Sequence, residues 1–160
     1  MRYVALLVLT LFSAVVAGSS VSYEDIEGWA SGYTTCPDVP VSLLYAIACV
    51  ESSLLPNAVN EDSGARGLFQ FIDLTVGDIG NRLGYPFDPF VPPQATVAAK
   101  IYISWLMRVF GEDNLVYVLA AWHWGPTNML ELVNGSRKVI PFETVHFINK
   151  VYLALQGGVR

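Results

Sequence analysis

Pro40-Val41-Ser42-Leu43-Leu44-Tyr45-Ala46-Ile47-Ala48-Cys49-Val50-Glu51-Ser52 reads as one helix. Proline can open it, because the N–H it lacks has no intrahelical partner in the first turn. On a helical wheel Val41, Leu44, Tyr45, Ile47 and Ala48 make the apolar face. Glu51 falls on that same face, beside Leu44 and Ala48, in the last turn. Desolvation and the negative end of the helix dipole both oppose an ionised carboxyl there. The expected result is a raised pKa, which a general acid working near neutral pH requires. A glutamate that simply reaches solvent where its helix stops would carry the same local sequence.

Outward from this helix the chain repeats one pattern, helical segments joined by Pro- and Gly-rich loops. Tyr23 to Ser31 is a short helix ended by Gly32, and Asn60 to Arg66 is a polar loop. Leu68 to Ile72 is a short apolar run with some strand character, after which Asp73 is placed to cap a helix reaching Leu83. Three prolines between Phe87 and Pro93 predict an extended loop. Gln94 to Phe110, Asn114 to Trp124, Thr127 to Val133 and Pro141 to Leu155 complete a helical series, with alanines at 95, 98 and 99 allowing close packing. Strand signals are nearly absent. The expected fold is mostly α, a small helical domain with little or no β structure.

Composition narrows the function. Of 160 residues, 53% are hydrophobic and 14% charged, which is ample core material and excludes a disordered chain. Lys plus Arg number 9 against 14 Asp plus Glu, for a net charge of -5. Nucleic acid is thereby disfavoured as a partner, since its phosphates need clustered cations; an uncharged polymer such as a glycan is not. Two cysteines and two histidines offer no zinc spacing. Met1-Arg2 followed by the apolar run Tyr3 to Ala17 and the small residues Gly18-Ser19-Ser20 reads as a signal peptide over 1–17, leaving one domain over 18–160. Any membrane contact would come only through this leader, if it stays uncleaved. Export to an oxidising compartment leaves Cys36 and Cys49 with two readings, a disulfide or two buried free thiols.

Four blocks carry a resemblance. Glu51-Ser52-Ser53-Leu54-Leu55-Pro56-Asn57-Ala58 is followed by Gly64-Ala65-Arg66-Gly67-Leu68-Phe69-Gln70-Phe71 and Thr75. Leu119-Ala120-Ala121-Trp122-His123-Trp124-Gly125-Pro126 and Pro141-Phe142-Glu143-Thr144-Val145-His146-Phe147-Ile148 come later, in order. Together they resemble the lytic transglycosylases with a lysozyme-like domain, across roughly Val41 to Val151. One extra residue separates the first two blocks, within the polar loop, where added length costs little.

The resemblance implies a lysozyme-like helical domain with a glycan-binding cleft, acting on peptidoglycan between N-acetylmuramic acid and N-acetylglucosamine. Glu51 would be its catalytic acid and base. Gly67, Phe69 and Gln70 would line the cleft, Gln70 bonding substrate, and Trp122, His123, Glu143 and Phe147 would contribute subsite contacts. Trp122 stands where the family carries Tyr, His123 where it carries Asn, and Phe147 where it carries Tyr. No metal or organic cofactor is implied, and the sugar's own 6-hydroxyl, serving as nucleophile, removes the need for a second carboxylate. Small exported enzymes of this kind open the wall locally for secretion systems, conjugation machines and phage particles, and Phe69-Gln70-Phe71-Ile72-Asp73 reads most like the phage-borne members. Two rivals remain: a goose-type hydrolase using Glu61 or Asp62 as second carboxylate, and a non-catalytic peptidoglycan-binding component. N-terminal sequencing of protein exported from cells should give a first residue near Gly18; an intact Met1 in the membrane fraction would instead make the leader an anchor.

Overall fold

Helical segments with apolar faces too wide to leave in water must bury them on one another. A computed structural model shows how, and it describes residues 19–137 and 139–157; the expected leader lies outside the described residues. The helices are α1 (Tyr23–Ser31), α2 (Val41–Ser52), α3 (Asp73–Leu83), α4 (Pro92–Phe110), α5 (Leu115–Trp124), α6 (Pro126–Val133) and α7 (Phe142–Gln156). Two short antiparallel strands, β1 (Val59–Asn60) and β2 (Ala65–Arg66), pair Val59 with Arg66 and Asn60 with Ala65. The mostly α fold expected from the sequence is the observed one.

Helix α2 is the hub. It packs most extensively on α7 and also meets α1 and α4. Burial runs further round it than one face: Leu43 and Ala46 join Leu44, Ile47 and Ala48 in the core, while Val41 and Tyr45 are only half-buried. Helix α4 is the second organiser, touching α1, α2, α3 and α5. Ala95, Ala98 and Ala99 are fully buried along it, so neighbouring backbones can approach closely.

Where boundaries differ from the sequence reading, backbone chemistry explains the shift. Pro92 and Pro93 belong to the first turn of α4 rather than to the preceding loop, since the donors they lack would be unpaired there anyway. Pro40 is the N-cap of α2, one position outside it. Asp73 does not cap α3, whose N-cap is Ile72; its carboxylate pairs instead with Arg66. Leu68 to Ile72 forms turns, with a single bridge from Phe71 back to Arg66.

Helix α1 has no basic residue in its last turn. Lys100 of α4 supplies one from outside, its buried Nζ donating to the Ala30 carbonyl at 3.2 Å and pairing with Asp38 at 3.2 Å. A cation at the negative end of the helix is favourable there. Ser104, one turn along, donates to the Pro37 carbonyl at 2.9 Å, so α4 holds the α1–α2 connection at two points.

The hairpin and the turn after it are fixed by backbone needs. Gly64 (φ 70) and Gly67 (φ 75) both lie in the left-handed region, but only Gly67 is crowded. A Cβ on Gly67 would sit 1.9 Å from the Pro89 carbonyl oxygen, whereas one on Gly64 would meet nothing within 4 Å. Gly67→Ala should therefore cost roughly 2–4 kcal/mol in urea unfolding, left-handed strain plus overpacking. Gly64→Ala should cost only the strain, on the order of 1 kcal/mol. Equal costs would show that the Pro89 contact yields easily.

Candidate active site

The end of α2 is held by both backbone and side-chain bonds. Ser53 (φ 53) and Leu54 (φ 64) turn the chain left-handed, and their N–H groups return to the carbonyls of Cys49 at 3.0 Å and Ala48 at 3.3 Å. Such a turn satisfies carbonyls that a helix end otherwise leaves unpaired. Val21 then donates to the Leu54 carbonyl at 2.9 Å. The buried Ser52 hydroxyl lies 3.1 Å from the Ala48 carbonyl and 2.8 Å from the Leu68 carbonyl, bonding the helix end to the Gly67–Gln70 turn.

Glu51 is thereby fixed in direction. Its residue surface is only half-buried, yet its carboxyl is almost wholly surrounded by protein atoms. Oε1 accepts the Trp122 indole N–H at 2.8 Å. Desolvation pushes the Glu51 pKa up to about 7, and the Trp122 bond works in the opposite direction without reversing it. Burial, the first of the two causes read from the sequence, is thus the dominant one.

Trp122 is itself enclosed by aromatic rings. Phe71 lies 5.6 Å away between centroids, Tyr102 at 5.7 Å, and Phe69 edge-on at 6.4 Å. The Gly67–Gln70 turn is tied down as well. Gln70 has φ 50, and its Nε2 donates to the carbonyls of Ala58 at 3.2 Å and Gly67 at 3.0 Å. Arg66 and Phe71 exchange backbone bonds of 3.1 and 3.0 Å, and the Arg66–Asp73 ion pair spans the same turn.

Several residues read as substrate-binding sit elsewhere than expected. Phe69 is 1% exposed and Phe147 5%, so both are core side chains behind the surface they were expected to line. Gly67 is buried against Pro89, with its closest approach made to protein backbone. The Gln70 amide nitrogen is spent bracing its own turn. Trp122 is half-buried, and His123 and Glu143 are exposed. His123 stacks on Phe147 at 4.7 Å and its Nδ1 lies 3.1 Å from Thr144 Oγ1. Desolvation lowers its pKa, which favours the neutral imidazole, with nearby Glu143 pulling the other way.

Glu61 and Asp62 lie exposed in the β1–β2 turn, where Asn60 accepts the Asp62 N–H at 3.1 Å. Cys36 and Cys49 are free thiols, the first exposed and the second half-buried, with burial raising the Cys49 thiol pKa. Among the described residues no group of His, Cys, Asp or Glu is clustered as a metal site, and no helix is long and apolar enough to cross a membrane.

Two residues of the site were given no site role in the sequence reading, Phe71, which appears there only within a motif, and Tyr102. Tyr102 lies three and four residues after Ala99 and Ala98, on the face of α4 that helical spacing marks as buried. Spacing gives its face but not its neighbour across the fold.

Comparison with known proteins bears on all of this. The transglycosylase SLT domain matches residues 30–140. The 70 kDa soluble lytic transglycosylase Slt70 of Escherichia coli is similar in structure, with a TM-score of 0.66 and 26% identity, over 81% of this chain and 23% of that one. The lytic transglycosylase Slt of Pseudomonas aeruginosa, solved as an inactive mutant, shares the fold with a TM-score of 0.63 at 22% identity, over 73% of this chain and 21% of that one. The chain therefore spans less than a quarter of either protein's length. No curated protein sequence matches it. With more than half of its residues covered by the domain pattern, and a matching helical fold, the chain belongs to the transglycosylase SLT domain family.

Proposed function

We propose that this chain is a lytic transglycosylase of peptidoglycan with Glu51 as its single acid and base. The observation that carries the reading is the Glu51 carboxyl, desolvated to a pKa of about 7 and held by a neutral N–H donor. Such a group is substantially protonated near neutral pH yet loses its proton readily, so one side chain can serve both half-steps. Protonated Glu51 gives its proton to the glycosidic oxygen between N-acetylmuramic acid and N-acetylglucosamine as that C–O bond breaks. The carboxylate then takes the proton of the muramic 6-hydroxyl while O6 bonds to C1. The products are a free 4-hydroxyl on N-acetylglucosamine and a 1,6-anhydromuramic end. Attack from within the same sugar replaces the second carboxylate that hydrolytic glycosidases use.

Trp122 and His123 are proposed to meet the glycan beside Glu51, with Glu143 at the rim. The apolar N-terminal run supports an exported enzyme with a mature domain beginning near Gly18. Its field of action would be local wall opening, for a phage particle or a secretion or conjugation apparatus.

Glu51→Gln should reduce release of soluble fragments from sacculi by at least about 10⁴-fold, the upper end for general acid–base catalysis. Mass spectrometry of the wild-type products should show 1,6-anhydromuramic ends. Reducing-end muramic acid as the main product would return the assignment to a hydrolase.

The same variant tests the carboxyl's environment through stability. The folded-state pKa is raised, so Glu51 costs nothing below its ordinary value near 4.5, becomes progressively destabilising as pH rises from there, and reaches its full cost above about 7. Urea unfolding should find Glu51→Gln gaining on wild type between pH 4.5 and pH 8, by up to about 3 kcal/mol. A gap that does not change with pH would mean that the carboxylate is well solvated.

A further inference from the structure

The Trp122 indole must present its N–H to Glu51 at one angle, yet it makes no other hydrogen bond among the described residues. Its orientation therefore depends on packing alone. Phe69 and Phe71 come from the turn after β2 and support the ring from that side. From α4, Tyr102 lies 5.7 Å away with its ring plane tilted 54° to the indole. Tyr102 is 5% exposed and is itself backed by Trp105, stacked at 5.5 Å with an interplanar angle of 21°. Arg82 of α3 closes the row, its guanidinium 3.8 Å from the Trp105 ring centroid. A cation over an indole face is attracted to it and fixes that ring further.

Resting on the reading of Glu51 as acid and base, we propose that Tyr102 is the positioning residue of this site, pressing Trp122 against Glu51 and, through that contact, setting the proton affinity of the carboxyl. The phenol is suited to a purely mechanical role. Desolvation and the nearby Asp78 push its pKa up to about 12, with Arg82 opposing, so it stays neutral across the working range. The charged and titratable groups around the row are Asp78 and Arg82 on α3, His123 on α5 and Glu143 on α7. Of these, burial favours the neutral form of His123, and none is among the causes of the Glu51 shift, which are burial and the Trp122 bond. Loosening Trp122 removes the one contact that favours the charged carboxylate.

The test is an NMR titration of the Glu51 carboxyl in substrate-free protein, which reads the coupling whether or not the chain cleaves peptidoglycan. Tyr102→Leu should raise the Glu51 midpoint by about one pH unit, the scale of one hydrogen bond to a charged acceptor. The Trp122 indole N–H resonance should move toward the position of an unbonded indole. Tyr102→Phe keeps the ring and should leave both unchanged. Trp122→Phe should raise the midpoint by itself, and adding Tyr102→Leu to it should raise it no further, because the two act through one contact. If Tyr102→Leu fails to fold, Trp105→Leu removes the outer support at a half-buried position and should shift both signals in the same direction by less. Additive shifts in the double variant, or an unmoved midpoint and indole signal in Tyr102→Leu or its Trp105→Leu substitute, would overturn the proposal. In lysis assays the alkaline limb of kcat should follow the midpoint upward; absence of lysis in wild type would count against the enzymatic reading alone.

Discussion

A neutral N–H meets a desolvated carboxyl where α5 and α2 end, joining positions 71 residues apart. The chemistry of the pair explains why it takes this form. A buried carboxyl without any partner is too costly, and one paired with Arg or Lys would be pulled well below its ordinary pKa. An indole satisfies one oxygen without adding a charge, and so leaves desolvation in control. Everything else in the fold that bears on the site serves to keep these two side chains 2.8 Å apart. Helix α2 cannot move, because α1, α4 and α7 surround it and its end is locked by Ser52, Ser53 and Leu54.

The turn between β2 and α3 is the third wall. Its backbone is held by the reciprocal bonds of Arg66 and Phe71, its side chains by the Arg66–Asp73 pair and the Gln70 amide. Gly67 lets it settle directly on the Pro89 carbonyl, bringing the loop before α4 into the same unit. The motif read from the sequence as glycan-binding also acts as a brace. Phe69 packs on Trp122 and the Leu68 carbonyl meets the Ser52 hydroxyl, so the turn bears on Glu51 from two sides.

How much of this the sequence disclosed depends on range. The helices could be read because proline, glycine and apolar spacing act locally, and the errors fell at ends where Pro92, Pro40 and Asp73 had two permissible positions. Glu51 could be singled out because helical spacing alone puts it on the apolar side of α2. The fate of Phe69 and Phe147 could not be read, since an aromatic residue in a motif looks the same whether it faces ligand or core. Tyr102 was invisible for a related reason: spacing showed that it is buried, while its partner lies across the fold on α5. Asp73 was assigned to its own helix because local capping is the commoner role, and the competing Arg66 is fixed only once the turn closes.

The indole also biases where the carboxyl proton sits. An indole nitrogen donates and cannot accept, so in the acid form the arrangement that puts the carbonyl oxygen, the better acceptor, against it is favoured. Oε1 takes the Trp122 N–H, which in the acid form favours the proton on Oε2. A tyrosine hydroxyl, which the family pattern has at this position, can donate to a carboxylate or accept from a carboxylic acid, and so could draw that proton toward itself. Replacing it by tryptophan forbids the second arrangement. Under the proposed reaction, Glu51 then favours its proton on the oxygen turned away from Trp122, at the cost of a donor that can no longer follow the carboxyl by rotating a hydroxyl. A fixed donor demands a fixed ring, and that is the physical reason for three aromatic neighbours around Trp122.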